Sequence, residues 1–326
     1  MLALFRSFRG AGLVAVVAFA LGLRSFAWHV GAGPLAGLPD LALGPWGQSL
    51  RGLAPGFGGA WALGALAVAF VGAAASYSLQ HYRLGAVGAV PGFVAVAFGS
   101  AAWWWVGGHV ALLGTLAVAA GAHRLFAGYR RQGSALPVYD CGLALGAAWL
   151  IAPAFVWFAA WGLLAVAQLR KARLADLAGL LVGVATLPFI TGVAAFVWGD
   201  FGAFRQNLFA GCIALPSAGE LAGVYAWVAL LALLTGAAIG AFGQLTTRRP
   251  IQEQRAARMW YTLLGVGWVA LALGGLHTPW AIALVLYPLA LLVGWWLGEL
   301  QRRRADLVAL LVLMIIVGGY LWRAIG

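Results

Sequence analysis

The sequence predicts an all-α fold, a polytopic transmembrane helical bundle of about eleven spans with its N-terminus cytoplasmic. Three observations predict it. The chain is 64% hydrophobic and 9% charged, with a mean hydropathy of +0.95, whereas a soluble domain carries roughly 25% charged residues. Its apolar runs are continuous rather than alternating, the pattern of helices and not of barrel strands. Basic clusters punctuate those runs: Arg6/Arg9, His81/Arg83, Arg124/Arg130/Arg131, Arg170/Lys171/Arg173, Arg248/Arg249/Arg255/Arg258 and Arg302/Arg303/Arg304. They hold 16 of the 20 Lys and Arg residues. Cytoplasmic loops retain Lys and Arg, so the clusters mark one face of the membrane.

A membrane helix needs about 20 apolar residues, so an excursion out and back needs about 40 plus its external loop. The intervals between clusters fit that length. Spans are expected at 11–30 and 57–78, then at 85–100 and 104–122 with Trp103, Trp104 and Trp105 at the turn. A tight hairpin follows, 138–152 and 154–169, with Pro153 at its tip. It is short for two full spans and also fits a re-entrant pair. Further spans are expected at 177–198 and 222–242, at 259–275 and 280–298, and at 306–322, which leaves the C-terminus outside. The opening segment imitates a secretory signal, with Arg6 and Arg9 before an apolar run and Ser25-Phe26-Ala27 as a small-x-small site. Arg24 interrupts the approach to that site and ten spans follow, so a retained first helix is expected.

Composition also excludes functions. A net charge of +12 in a soluble protein would point to nucleic acid. Here the basic residues sit at helix ends without stacking platforms, and anionic headgroups are the expected partner. Membrane lipids are therefore the expected partners and nucleic acid is not. Cys141 and Cys212 fall at opposite faces in this topology, too far apart for a disulfide, and neither lies in a CxxC pattern. Gly10-Ala11-Gly12 opens a membrane helix and follows no strand, so it is no dinucleotide fingerprint. No cofactor is expected. The small-xxx-small pairs Gly142/Gly146, Gly179/Gly183, Gly236/Gly240 and Gly294/Gly298 permit close helix contacts, within the chain or with a partner in the membrane.

Chemistry is expected in two external loops. The first, 31–56, contains seven Gly and four Pro with Asp40, Gln48 and Arg51. The second, 199–221, contains Asp200, Arg205, Gln206, Asn207 and Glu220. Within it Phe201, Phe204 and Leu208 share one helical face, which predicts a helix lying in the interface. Both loops are expected to pack onto the bundle. Asp40, Asp200 and Glu220 are the only carboxylates assigned outside; each serves as a general base or cation ligand, or only caps and solvates its loop. Arg24, inside an apolar run, snorkels to the interface or contacts a phosphate. His29, His109 and His277 come from three distant helices with no ligand spacing, so no metal site is expected. On the inner side, Asp140 is expected to pair with an arginine of the Arg124/Arg130/Arg131 cluster.

Residues 85–190 resemble a family of uncharacterised polytopic inner-membrane proteins from Bacteroidetes-type bacteria. The residues that carry the resemblance are Val90-Pro91-Gly92-Phe93, Arg124-Leu125-Phe126, Tyr139-Asp140-Cys141-Gly142, Pro153, Arg170 and Pro188. The resemblance implies a bacterial inner membrane and carries over no catalytic residue. A looser similarity is to C-type glycosyltransferases that use polyprenyl-linked sugars. These place an Arg near the outer end of the first helix and an acidic base in the loop after it, positions held here by Arg24 and Asp40. This chain departs from them in having one acidic residue in that loop rather than a pair, and no large external domain. The similarity implies a lipid-linked or amphipathic substrate at the outer leaflet, with Asp40 catalytic and Arg24, Arg51, Asp200, Arg205 and Glu220 in substrate binding, and a polyprenyl phosphate as partner. A transporter or flippase, and a non-enzymatic scaffold, are the other classes the sequence leaves open, and it does not decide whether the protein is an enzyme.

Overall fold

The computed structural model describes residues 11–29, 43–52, 57–81, 89–101, 108–129, 135–169, 173–213, 225–246, 251–273, 282–300 and 302–325. Thirteen α-helices are described: α1 (Ala11–His29), α2 (Pro45–Gly52), α3 (Phe57–His81), α4 (Val90–Ala101), α5 (Gly108–Tyr129), α6 (Leu136–Ile151), α7 (Phe158–Leu169), α8 (Leu174–Val197), α9 (Phe201–Phe209), α10 (Tyr225–Thr246), α11 (Ile251–Leu273), α12 (Ile282–Glu299) and α13 (Arg302–Ile325). A 3-10 turn, Pro153–Trp157, links α6 to α7. The fold is all-helical among the described residues. Four helical stretches are long and apolar enough to cross a membrane: Ala62–His81, Val110–Gly128, Leu174–Val197 and Ile282–Glu299. Each of the eleven expected apolar segments falls on a described helix, the shortest being α4 and α7 at 12 residues.

The core is built around α12. Fourteen of its 18 residues are buried, and it packs against α3, α4, α5, α10, α11 and α13. Two hydrogen bonds pin it. The Thr115 hydroxyl on α5 donates to the Ala283 carbonyl at 2.7 Å, and the Ser78 and Tyr287 hydroxyls share a hydrogen bond at 2.8 Å. Trp260 of α11 stacks on Phe126 and meets Tyr287 edge-on. By contrast α8 shows the solvent a row of large apolar side chains, among them Phe189, Phe196 and Val197, each at least 70% exposed. A soluble helix hides such a face; a helix against lipid has no need to.

Helix directions follow from close approaches. Gly142 and Gly146 of α6 meet Leu180, Gly183 and Val184 of α8 in the same order, so these helices run parallel. Gly72 meets Gly92 and Gly99 meets Val68, so α3 and α4 run antiparallel. The α6–α8 seam brings two helix backbones into direct contact. A Cβ on Gly142 would overlap the Leu180 carbonyl, and one on Gly183 would lie 2.5 Å from the Tyr139 carbonyl. Gly179, Gly236 and Gly240, equally prominent in sequence, have nothing within 4 Å of such a Cβ. Small residues at a seam allow backbone contact that larger ones forbid.

Gly142→Leu is therefore expected to lower stability by about 1–3 kcal/mol, the cost of overpacking, while Gly179→Leu stays near wild type. Thermal unfolding in detergent measures both, and equal effects would remove the seam from this account.

Candidate functional site

The described parts of the two loops singled out by sequence, 43–52 and 199–213, come together at one end of the bundle, around a break in the helical backbone. After Ile151 the chain turns extended at Ala152 (φ −145°, ψ 126°) before Pro153 starts the 3-10 turn. At 1.5 Å per residue, α6 is about 24 Å long and α7 about 18 Å, short of a hydrocarbon core of about 30 Å. The expected hairpin is thus a short pair, with half of the residues of each helix buried. A break of this kind exposes backbone polar groups, and lipid cannot satisfy them.

Neighbouring segments satisfy them instead. Gly44 N–H donates to the Ile151 carbonyl at 3.0 Å. A Cβ at Gly44 would overlap the Leu150 carbonyl, and one at Gly47 the Ile151 carbonyl. Glycine is what lets α2 approach the end of α6. Across the break, Trp149 Nε1 donates to the Leu208 carbonyl at 3.1 Å and Trp157 Nε1 to the Cys212 carbonyl at 3.0 Å. Cys212 Sγ lies 3.6 Å from the Pro153 carbonyl. The Asn207 amide donates to Gln48 Oε1 at 3.3 Å, joining α9 directly to α2. Trp46 of α2 packs against both small clusters at this end, Leu43/Val110/Ile151 and Leu150/Phe204/Leu208.

The expected helix in the second loop is present as α9. Phe204 and Leu208 are buried, and Phe204 rests against Gly192. Phe201 is 45% exposed, because it sits at the start of α9 between Phe196 and Phe204 rather than over the core. Gly199 and Gly211, at φ 83° and 77°, make the turns on either side of α9; only glycine enters that region without strain.

The predicted site residues divide as follows. Asp200 and Arg205 are exposed on α9 and its N-terminal flank. The Asp200 carboxylate makes no capping hydrogen bond; its backbone carbonyl accepts from Phe204 N–H at 2.9 Å. Arg51 lies on α2, one turn beyond Gln48, and Arg24 in the later turns of α1; their side chains are outside the described residues. Asp40 and Glu220 are outside them altogether. So are Arg130 and Arg131, expected near Asp140, and the side chains of His29, His109 and His277.

A second grouping was not read from the sequence. Tyr77 and His81 stack on α3 at 5.4 Å between centroids, and His123 of α5 meets both, at 5.3 and 5.4 Å. The four-residue spacing of Tyr77 and His81 was the available signal. Their partner on α5 was not, since nothing local relates positions 46 or 42 residues apart. Among the described residues no group of three or more His, Cys, Asp or Glu side chains is placed to hold a metal.

Comparison with protein-family models, curated proteins and solved structures finds no match to this chain.

Cys212 and Cys141 are both free thiols. Burial pushes the Cys212 thiol above its ordinary pKa, so less of it is thiolate at pH 8 than of an exposed cysteine, and the thiolate is the reactive form. In a Cys141→Ala background, iodoacetamide is expected to label Cys212 several-fold more slowly than a small free thiol. Trp157→Phe, which removes the bond to the Cys212 carbonyl at a cost of about 1 kcal/mol, should speed the labelling. Labelling at the free-thiol rate in the parent would contradict this packing.

Proposed function

We propose that this is a multi-pass protein of a bacterial inner membrane, with about eleven spans and a cytoplasmic N-terminus, that engages a lipid-linked or amphipathic substrate at the outer leaflet. The reaction in view is glycosyl transfer from a polyprenyl-linked sugar. One observation carries the reading: the contact of α2 with α9 through Gln48 and Asn207. It unites two loops far apart in sequence into one rim, and that rim bears Arg51, Asp200 and Arg205. An anionic phosphate or pyrophosphate group suits guanidinium donors of this kind. Arg24 and Asp40 supply, in this reading, a phosphate contact and a general base.

The interior weighs against a polar transport path. Among the described residues, Ser76 and Thr115 bond to helix carbonyls and Ser78 to Tyr287. These three hydroxyls are used in packing, and only Thr235 Oγ1 and Gln168 Oε1 are buried without a hydrogen-bond partner among the described side-chain oxygens, whereas a transporter keeps such groups facing a cavity.

Two experiments test the reading. A reporter fused after Gly326 is expected to read as external; a cytoplasmic signal would reject the span count. Arg24→Ala and Asp40→Ala are each expected to extract from membranes at wild-type yield yet to lower complementation of a deletion strain at least tenfold, the order of a lost charge-assisted contact or general base. Full complementation by both variants would leave the scaffold reading in place.

A further inference from the structure

An open groove of about 460 Å³ runs between α10 and α11 on the outside of the bundle. It is lined by Ile239, Gly243, Tyr261, Leu264, Gly265 and Trp268. The groove exists because two glycines face it. A Cβ on Gly265 would meet nothing within 4 Å, and one on Gly243 only the Tyr261 hydroxyl, at 4.0 Å. That hydroxyl, the one polar side-chain group among the lining residues besides the Trp268 indole N–H, donates to the Ile239 carbonyl at 3.3 Å and ties the two helices together.

The charge lies at one end. Tyr261, Gly265 and Trp268 follow each other at spacings of four and three, a single stripe of α11. Continued back by three residues, the stripe reaches Arg258, which is exposed, as is Arg255 one turn earlier. The chain just before α11 adds Arg248 and Arg249 in sequence. An apolar slot with an exposed arginine one turn along the same stripe is complementary to a ligand with a hydrocarbon tail and an anionic head. The guanidinium fork matches a phosphate, and basic residues near a bilayer surface favour anionic lipid.

We propose that this groove is a binding site for an anionic phospholipid, with one acyl chain between α10 and α11 and the phosphate at Arg258. The site rests on none of the residues of the α2–α9 rim, so the two readings stand or fall separately.

The test uses the full chain, purified in detergent and titrated with phosphatidylglycerol or phosphatidylcholine of the same acyl composition, with bound lipid counted by native mass spectrometry. The wild type is expected to retain phosphatidylglycerol in preference. Arg258→Gln should reduce that preference about fivefold, the factor expected of one basic residue near the surface. Gly265→Phe fills open space and should lower binding of both lipids without loss of thermal stability. Equal retention of the two lipids by the wild type overturns the proposal. So does an unchanged preference in Arg258→Gln, or unchanged occupancy in Gly265→Phe. A wild-type dimer that Gly265→Phe converts to monomer would assign the groove to a second copy of this chain, and would likewise overturn it.

Discussion

The arrangement depends on satisfying the backbone where α6 ends at Ile151. In water an interrupted helix can hand its carbonyls to solvent. In hydrocarbon each orphaned group costs several kcal/mol. The chain meets that demand with its own segments: Gly44 N–H reaches the Ile151 carbonyl and Cys212 Sγ the Pro153 carbonyl, and in return the Trp149 and Trp157 indoles satisfy the Leu208 and Cys212 carbonyls at the end of α9. The packing of both loops on the bundle follows. Neither α2, at eight residues, nor α9, at nine, is long enough to hold its shape alone. Each is ordered by what it covers, and their junction at Gln48 and Asn207 is a by-product of covering the same break.

In a lipid surround, closeness rather than expulsion of water would hold the rest of the bundle together. Lipid tails are as apolar as leucine, so burying one more leucine gains little between helices. Contact area and backbone proximity matter more. The α6–α8 seam shows this, with Gly142 and Gly183 Cα atoms in mutual contact range and no side chain between them. The same physics explains the exposed row on α8. Phe189, Phe196 and Val197 face outward because the surrounding solvent is apolar in this reading, and no penalty attaches to their exposure.

Polar chemistry is displaced to the ends as a consequence. Asp200 and Arg205 sit on a surface element, and Arg255 and Arg258 at the start of α11. Between the ends, hydroxyls such as Ser78 and Thr115 serve to fix α12 in place. The rim and the groove are therefore different in kind. The rim is where α2 meets α9, with Asp200 and Arg205 exposed beside that junction, whereas the groove is a gap left by missing side chains, with Arg258 one turn along the same stripe of α11.

Much of the fold was legible in the sequence. Continuous apolar runs were enough to predict an all-helical fold and the position of the helices, because the cost of unpaired backbone in an apolar surround is large and local. The spacing of Phe201, Phe204 and Leu208 predicted α9 for the same reason, since periodicity is a local property, although only Phe204 and Leu208 are buried. What the sequence alone left undecided was which of many similar residues would meet. Gly142 and Gly183 lie at a seam while Gly179, Gly236 and Gly240 do not, and their sequence contexts do not differ in kind. The joining of α2 to α9, and of His81 to His123, likewise required the tertiary structure. These contacts are set by how whole helices cross, and a crossing depends on all the side chains between two helices at once, not on any short stretch of chain.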